Sequence, residues 1–163
     1  MKHLARLQEF ILGRLDLDEF RQLYLDKTPL HLPGASRLHR HIDVGTVDEY
    51  LASNEGNIHA FTRVLDGSKD VTIHSNPVFF AETQKSFIDR QFQSGATIKV
   101  EDFETRHPLM ASICRCFETE FGGDTYAMTF LTPPEKQGFG IHFDIYRQGF
   151  RTRPPVPRST LST

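Results

Sequence analysis

The amino-acid sequence predicts an α+β fold, and the order of its periodicities is the reason. Helix-spaced apolar residues fill the N-terminal third, two-residue alternation takes over from Asn57, and one further helical run interrupts the strands. With 163 residues, 38% of them hydrophobic, the chain has the size of one domain around one core.

In the opening "HLARLQEFILGRL", Leu4, Leu7, Ile11 and Leu15 share one helical face. The segment "EFRQLYL" continues with Phe20, Leu23 and Tyr24 as a second short helix. Pro29 and Pro33 then forbid a helix, and Leu30 and Leu32 alternate around His31 as in a short extended piece. "TVDE" at 46–49 has the form of a capping box, with Thr46 accepting from a backbone N–H and Glu49 reaching back. It predicts a helix through about Ala52.

"NIHAFTRVL", "DGSKD" and "VTIH" read as a β-hairpin, because Asp66-Gly67 favours a tight turn between β-branched runs. "GATIKVEDF" alternates through Ala96, Ile98 and Val100 as a strand. Pro108 suits a first helical turn, Leu109, Ile113, Phe117 and Phe121 recur at spacing four, and Gly122-Gly123 ends that helix. "DTYAMTFLTPP" is a strand closed by two prolines, and "FGIHFDIY" is the next strand. From Arg147 the composition turns to Arg, Pro, Ser and Thr without apolar alternation, so 147–163 reads as a disordered or aberrant tail behind a domain of residues 1–146.

A formal charge of −2 and a pI near 6.4 argue against a partner that is nucleic acid bound through phosphate neutralisation. No stretch approaches the roughly 18 apolar residues of a membrane span, and "MKHLARLQEF" is not a signal peptide, so no membrane partner is expected. The only cysteines, Cys114 and Cys116, offer no disulfide framework, and a cytoplasmic location is expected.

His142 and Asp144 are the chemically suggestive pair. On a strand, residues i and i+2 project to the same side, so an imidazole and a carboxylate would emerge together. These are two parts of the 2-His-1-carboxylate arrangement that holds Fe(II) on one side and leaves positions open for oxygen and a co-substrate. A surface His and Asp on an exposed strand is the plain alternative.

The surrounding residues resemble a known family. Phe130-Leu131-Thr132-Pro133-Pro134, Gln137-Gly138-Phe139 and His142-Phe143-Asp144 are similar to the strand, loop and metal motif of JmjC-type, cupin-like Fe(II)- and 2-oxoglutarate-dependent oxygenases, in particular the ribosomal-protein hydroxylase branch. "FRQLYLDKTPLHLPGA" resembles that family's entry segment, and "GATIKVEDFETRHPLMASICRCFETEFGG" its strand–helix unit before the metal strand, so the likeness runs over roughly residues 17 to 146. The resemblance implies a double-stranded β-helix (cupin, jelly-roll) of which this chain carries the N-terminal helices and first strands. It implies His142 and Asp144 as metal ligands, Fe(II) as cofactor and 2-oxoglutarate as co-substrate, with Thr132 near the latter. Decarboxylation to succinate would drive hydroxylation of a side chain on a protein partner, a ribosomal protein or similar.

Three departures separate the chain from the family pattern. No histidine follows His142 to serve as the family's third ligand. The position of a tyrosine that helps bind 2-oxoglutarate is Phe130, which has no hydroxyl, and Tyr126, four residues earlier on the same expected strand face, would be about 13 Å away. The family's basic residue for the distal carboxylate comes from a strand after the metal motif, where Arg147, Arg151 and Arg153 stand in a proline-rich stretch. The expectation is a family member truncated after Tyr146 and inefficient as a single chain.

Other motifs carry blander readings. Cys114 and Cys116 lie about 200° apart on a helix and cannot share an ion or a disulfide, which leaves one buried and one partly exposed thiol. His39-x-His41 sits in a basic loop without a carboxylate cluster, and "DGSKD" lacks the alternating oxygen ligands of a calcium loop. Two function classes follow, the oxygenase and a non-catalytic cupin-like module that binds a protein partner. Fe(II)- and 2-oxoglutarate-dependent succinate release separates them.

Overall fold

The computed structural model describes residues 7–25, 28–67, 69–73 and 82–138. The expected strand over 139–146, with His142 and Asp144, and the tail at 147–163 lie outside the described residues, as does Leu4.

The first helical segment is a π-helical turn, Gln8–Leu12, that buries Phe10, Ile11 and Leu12. Gly13 ends it at φ 61, where a Cβ would meet the Ala35 Cβ at 2.9 Å, so both backbone sign and space call for glycine. Helix α1 (Leu17–Leu23) is capped by Asp16, whose side chain accepts from the N–H groups of Asp18 and Glu19. Phe20 turns inward as expected, but Leu23 is 52% exposed. The helix ends there, and Tyr24 and Leu25 make the packing contacts instead.

Helix α2 (Val44–Ser53) is capped three residues before the expected position, Thr46. Asp43 is the N-cap: its carboxylate accepts from Thr46 N at 2.8 Å, and Thr46 Oγ1 accepts from Asp43 N at 3.3 Å. Thr46 therefore closes the box from inside the helix, and Glu49 has no part in it. Strands β1 (Thr62–Asp66) and β2 (Lys69–Val71) form the expected hairpin, Asp66 opposite Lys69 with Gly67 at φ 60, but the start of the expected first strand is instead a 3₁₀ turn, Ile58–Ala60.

Helix α3 (Gln84–Gln93) has no counterpart in the sequence reading. Thr83 caps it through Ser86 N, and the Glu55 carboxylate accepts from the N–H groups of Gln84 and Lys85, which places an anion at the positive helix end. Strand β3 (Thr97–Val100) and helix α4 (Pro108–Phe121) follow as expected, α4 opening with Pro108 and closing at Gly122, φ 74. Strand β4 is short, Thr129–Leu131, so Tyr126 precedes it rather than sharing its pleat with Phe130.

The sheet is antiparallel throughout, in the order β2-β1-β3-β4. Val64 and Leu131 flank Ile98, and Thr62 and Thr129 flank Val100, so these residues share one face. Apolar residues of α2, α3 and α4 pack there: Val47, Tyr50, Leu51, Ile88 and Cys114 join Val64, Ile98 and Val100 in one core cluster. A second cluster unites Leu7, Phe10, Leu12, Leu17, Phe20 and Leu38 with Ile113 and Cys116. Helix α4 thus divides two cores, with Cys114 facing the sheet and Cys116 facing the N-terminal segment. The expected divergence of the thiols holds, but both are buried, because the N-terminal segment covers the side predicted to be partly exposed. Arg21 fastens that segment, its Nη2 donating to Glu120 O and Glu120 Oε2, each at 2.9 Å. No helix among the described residues is long and apolar enough to cross a membrane.

Candidate iron and co-substrate site

The opposite sheet face carries Arg63, Lys99 and Phe130 in one cross-strand row, with Leu65 and Thr97 in the next. Phe130, expected from the resemblance to stand at a tyrosine position, is 46% exposed and lies directly opposite Lys99. Glu101 links the two cations: Lys99 Nζ to Glu101 Oε1 is 2.5 Å and Arg63 Nε to Glu101 Oε2 is 3.8 Å.

Thr132 follows β4, and its hydroxyl meets Thr97 Oγ1 at 3.0 Å. Beyond it Pro133-Pro134 stops the strand, and Glu135 at φ 61 turns the chain, a left-handed conformation that costs a non-glycine residue about 1 kcal/mol. The Lys136 side chain runs across Gly95, where a Cβ would meet its Cε at 2.9 Å. The backbone then reaches Gly138, where a Cβ would stand 2.8 Å from Thr132 Oγ1 and 3.4 Å from Thr97 Oγ1. The two threonines and the returning loop therefore meet at one end of the polar face, and Thr97 is buried beneath them. His142 comes four residues after Gly138, a covalent reach of at most about 14 Å between Cα atoms.

Of the expected site residues, the structure places Phe130 and Thr132 beside one another's strand neighbours on this face, while His142 and Asp144 lie outside the described residues. Tyr126 is 54% exposed ahead of β4 and takes no place in the row. Lys99 and Arg63 were not singled out by sequence reasoning. Their alternation with Ile98 and Val64 put them on the polar face, but only the strand register sets Lys99 against Phe130.

As a donor set, a neutral imidazole and a carboxylate suit ferrous iron, and His142 and Asp144 supply both. Among the described residues no three His, Cys, Asp or Glu side chains converge to hold a metal. His39 and His41 are exposed, and the His41 ring stands edge-on to Phe10 at 5.4 Å between centroids. The expected pair His142 and Asp144 would offer two ligands of suitable chemistry, and no cluster among the described residues completes a triad. No protein-family description, curated protein or solved structure matches the chain.

Proposed function

We propose that this chain belongs to the lineage of Fe(II)- and 2-oxoglutarate-dependent oxygenases of the JmjC-type, cupin-like class, with His142 and Asp144 as two iron ligands. The observation that carries the reading is the loop between β4 and the His-x-Asp motif. Gly138, the glycine of the "QGF" piece, is required by its close approach to Thr132 and Thr97, so the described part of the segment that resembles the family is constrained by packing at this glycine. A sheet with helices on one face and Thr97, Lys99, Phe130 and Thr132 on the other suits the first strands of a double-stranded β-helix, whose inner wall carries the chemistry.

Iron bound with 2-oxoglutarate would supply oxygen activation, one oxygen atom entering the substrate C–H bond and the other appearing in succinate, with release of carbon dioxide. In this chain Lys99 stands nearest in register to Phe130 and is the cation offered to a co-substrate carboxylate, in exchange for Glu101. Phe130 supplies an apolar wall without the family's hydroxyl donor. Two ligands among these residues hold iron weakly and give inefficient hydroxylation of a protein side chain. A cytoplasmic location is part of this reading, and the burial of the Cys114 and Cys116 thiols is compatible with it. A second reading, a non-catalytic module that binds a protein, is favoured by β4, the edge of the described sheet, where Phe130 is exposed, and by Tyr126 and Met128, exposed just ahead of it.

The test is an anaerobic titration of the full chain with Fe(II) and 2-oxoglutarate, followed by the visible charge-transfer absorption of a chelated 2-oxo acid. The absorption is expected only with both components and is expected to vanish in His142→Ala and Asp144→Ala. An absorption unchanged in those variants, or none in the native chain, refutes the reading.

A further inference from the structure

A buried amide joins the 3₁₀ turn Ile58–Ala60 to the start of α3. Gln84 is 1% exposed, and its Oε1 accepts from Ile58 N at 2.9 Å, which fixes the amide orientation. Its Nε2 can then only donate, and it meets His59 Nδ1 at 2.9 Å. Nδ1 is therefore the acceptor, and the neutral ring carries its proton on Nε2. Ile58 is fully buried, whereas His59 is half-buried and so within reach of protons from solvent.

A second proton on the ring goes to Nδ1, and two N–H donors then face each other where one bond stood. Turning the amide over gives no remedy. Oε1 would receive Nδ1–H, but Nε2 would then confront Ile58 N–H. Either orientation aims one donor at another, and a buried donor without an acceptor is costly. The amide fits the neutral ring alone.

The charged groups around the turn have partners of their own. Glu55 accepts from Gln84 N and Lys85 N at 2.8 and 3.0 Å, and Lys85 pairs with Asp48 and Asp89 at 2.7 and 2.8 Å. From the sheet, Arg63 and Asp70 border the cleft that His59 also borders, and Arg63 stands 3.8 Å from Glu101. Among the described residues no carboxylate forms an ion pair with His59, so the Gln84 amide is the neighbour that must answer a change in ring charge.

We propose that His59 and Gln84 form an acid-sensitive latch, closed while the ring is neutral and loosened by a proton on Nδ1, which releases the turn before β1 from the first turn of α3. The latch is independent of the oxygenase reading and needs no metal.

The test follows the ¹⁵N-labelled full chain from pH 7.5 to 5 by long-range ¹⁵N–¹H correlation, which reads both ring nitrogens. At pH 7.5 His59 is expected to carry its proton on Nε2 alone. On acidification the Gln84 side-chain amide and the Ile58 amide are expected to shift with the same midpoint as the ring. Protection of Ile58 N–H from hydrogen exchange, corrected for the intrinsic pH dependence of exchange, is expected to fall about threefold to tenfold, the loss of one hydrogen bond. His59→Phe keeps an aromatic ring without the acceptor and is expected to abolish that response. Nδ1 protonated at pH 7.5, Ile58 and Gln84 signals that ignore the ring titration, or an undiminished response in His59→Phe overturns the proposal.

Discussion

Gln84→Met tests the bracket on which the interior of α3 depends. Gln84 is buried at the first turn of α3 and bonds to the 3₁₀ turn Ile58–Ala60, accepting from Ile58 N and donating to His59 Nδ1, both at 2.9 Å. Methionine fills nearly the same volume and makes neither bond, so packing is kept while polarity is lost. Ile58 is fully buried, and its stranded N–H costs about 1–3 kcal/mol, while the half-buried His59 bond adds about 0.5–1.5 kcal/mol. The sum is a loss of about 1.5–4.5 kcal/mol, or roughly 3–18 °C in Tm for a chain of this size. Urea denaturation followed by far-UV circular dichroism reads it directly. A loss below about 0.5 kcal/mol would mean that Ile58 N–H finds another partner, and the bracket would lose its stabilising role.

Gly138→Ala is expected to cost about 1–3 kcal/mol, because its Cβ would stand 2.8 Å from Thr132 Oγ1. Most of that cost is expected to disappear in a Thr132→Ala background, and additive losses in the double-variant cycle would exclude the contact as its cause. His107 caps α4 by accepting from Met110 N at 3.4 Å, and burial pushes its pKa below the ordinary 6.5. Folding favours the neutral ring, so its contribution is present above pH 6.5 and is lost as the pH falls through the folded-state value. Urea midpoints are expected to fall on acidification from pH 7 to 5, less steeply in His107→Asn, which keeps a cap; equal slopes would remove His107 as the cause. Burial raises the Cys114 thiol to about 11, and Cys116 is buried in the other core. Both are expected to react with a thiol reagent at mildly alkaline pH only as fast as the chain unfolds, and rapid labelling of the native protein would contradict their burial.

The elements legible in the sequence are those whose signal is local and redundant. The hairpin had Asp66-Gly67 between β-branched runs, β3 had strict alternation, and α4 had a proline, a spacing of four and a glycine pair. Helix α3 escaped notice because only Phe87, Ile88 and Phe92 of its ten residues are hydrophobic. Its start was nonetheless signalled by Thr83 three residues before Ser86. At α2 two capping patterns overlap, and the structure selects Asp43 with Thr46 over Thr46 with Glu49. The burial of Cys116 depends on contacts with residues about a hundred positions earlier, and no local pattern reports them. In the candidate site, the Thr-Pro-Pro and Gln-Gly pieces were visible as motifs, whereas the Thr97–Thr132 bond and the Lys99–Phe130 pair follow from register between β3 and β4.

The central claim is that His142 and Asp144 hold ferrous iron. It is tested most directly by anaerobic equilibrium titration of Fe(II) into the native chain and into His142→Ala and Asp144→Ala. The native chain is expected to bind one ion weakly, and each variant is expected to lose at least about tenfold in affinity, since one of two protein ligands is removed. Native and variant chains that bind Fe(II) equally, or a native chain that binds none, would contradict it.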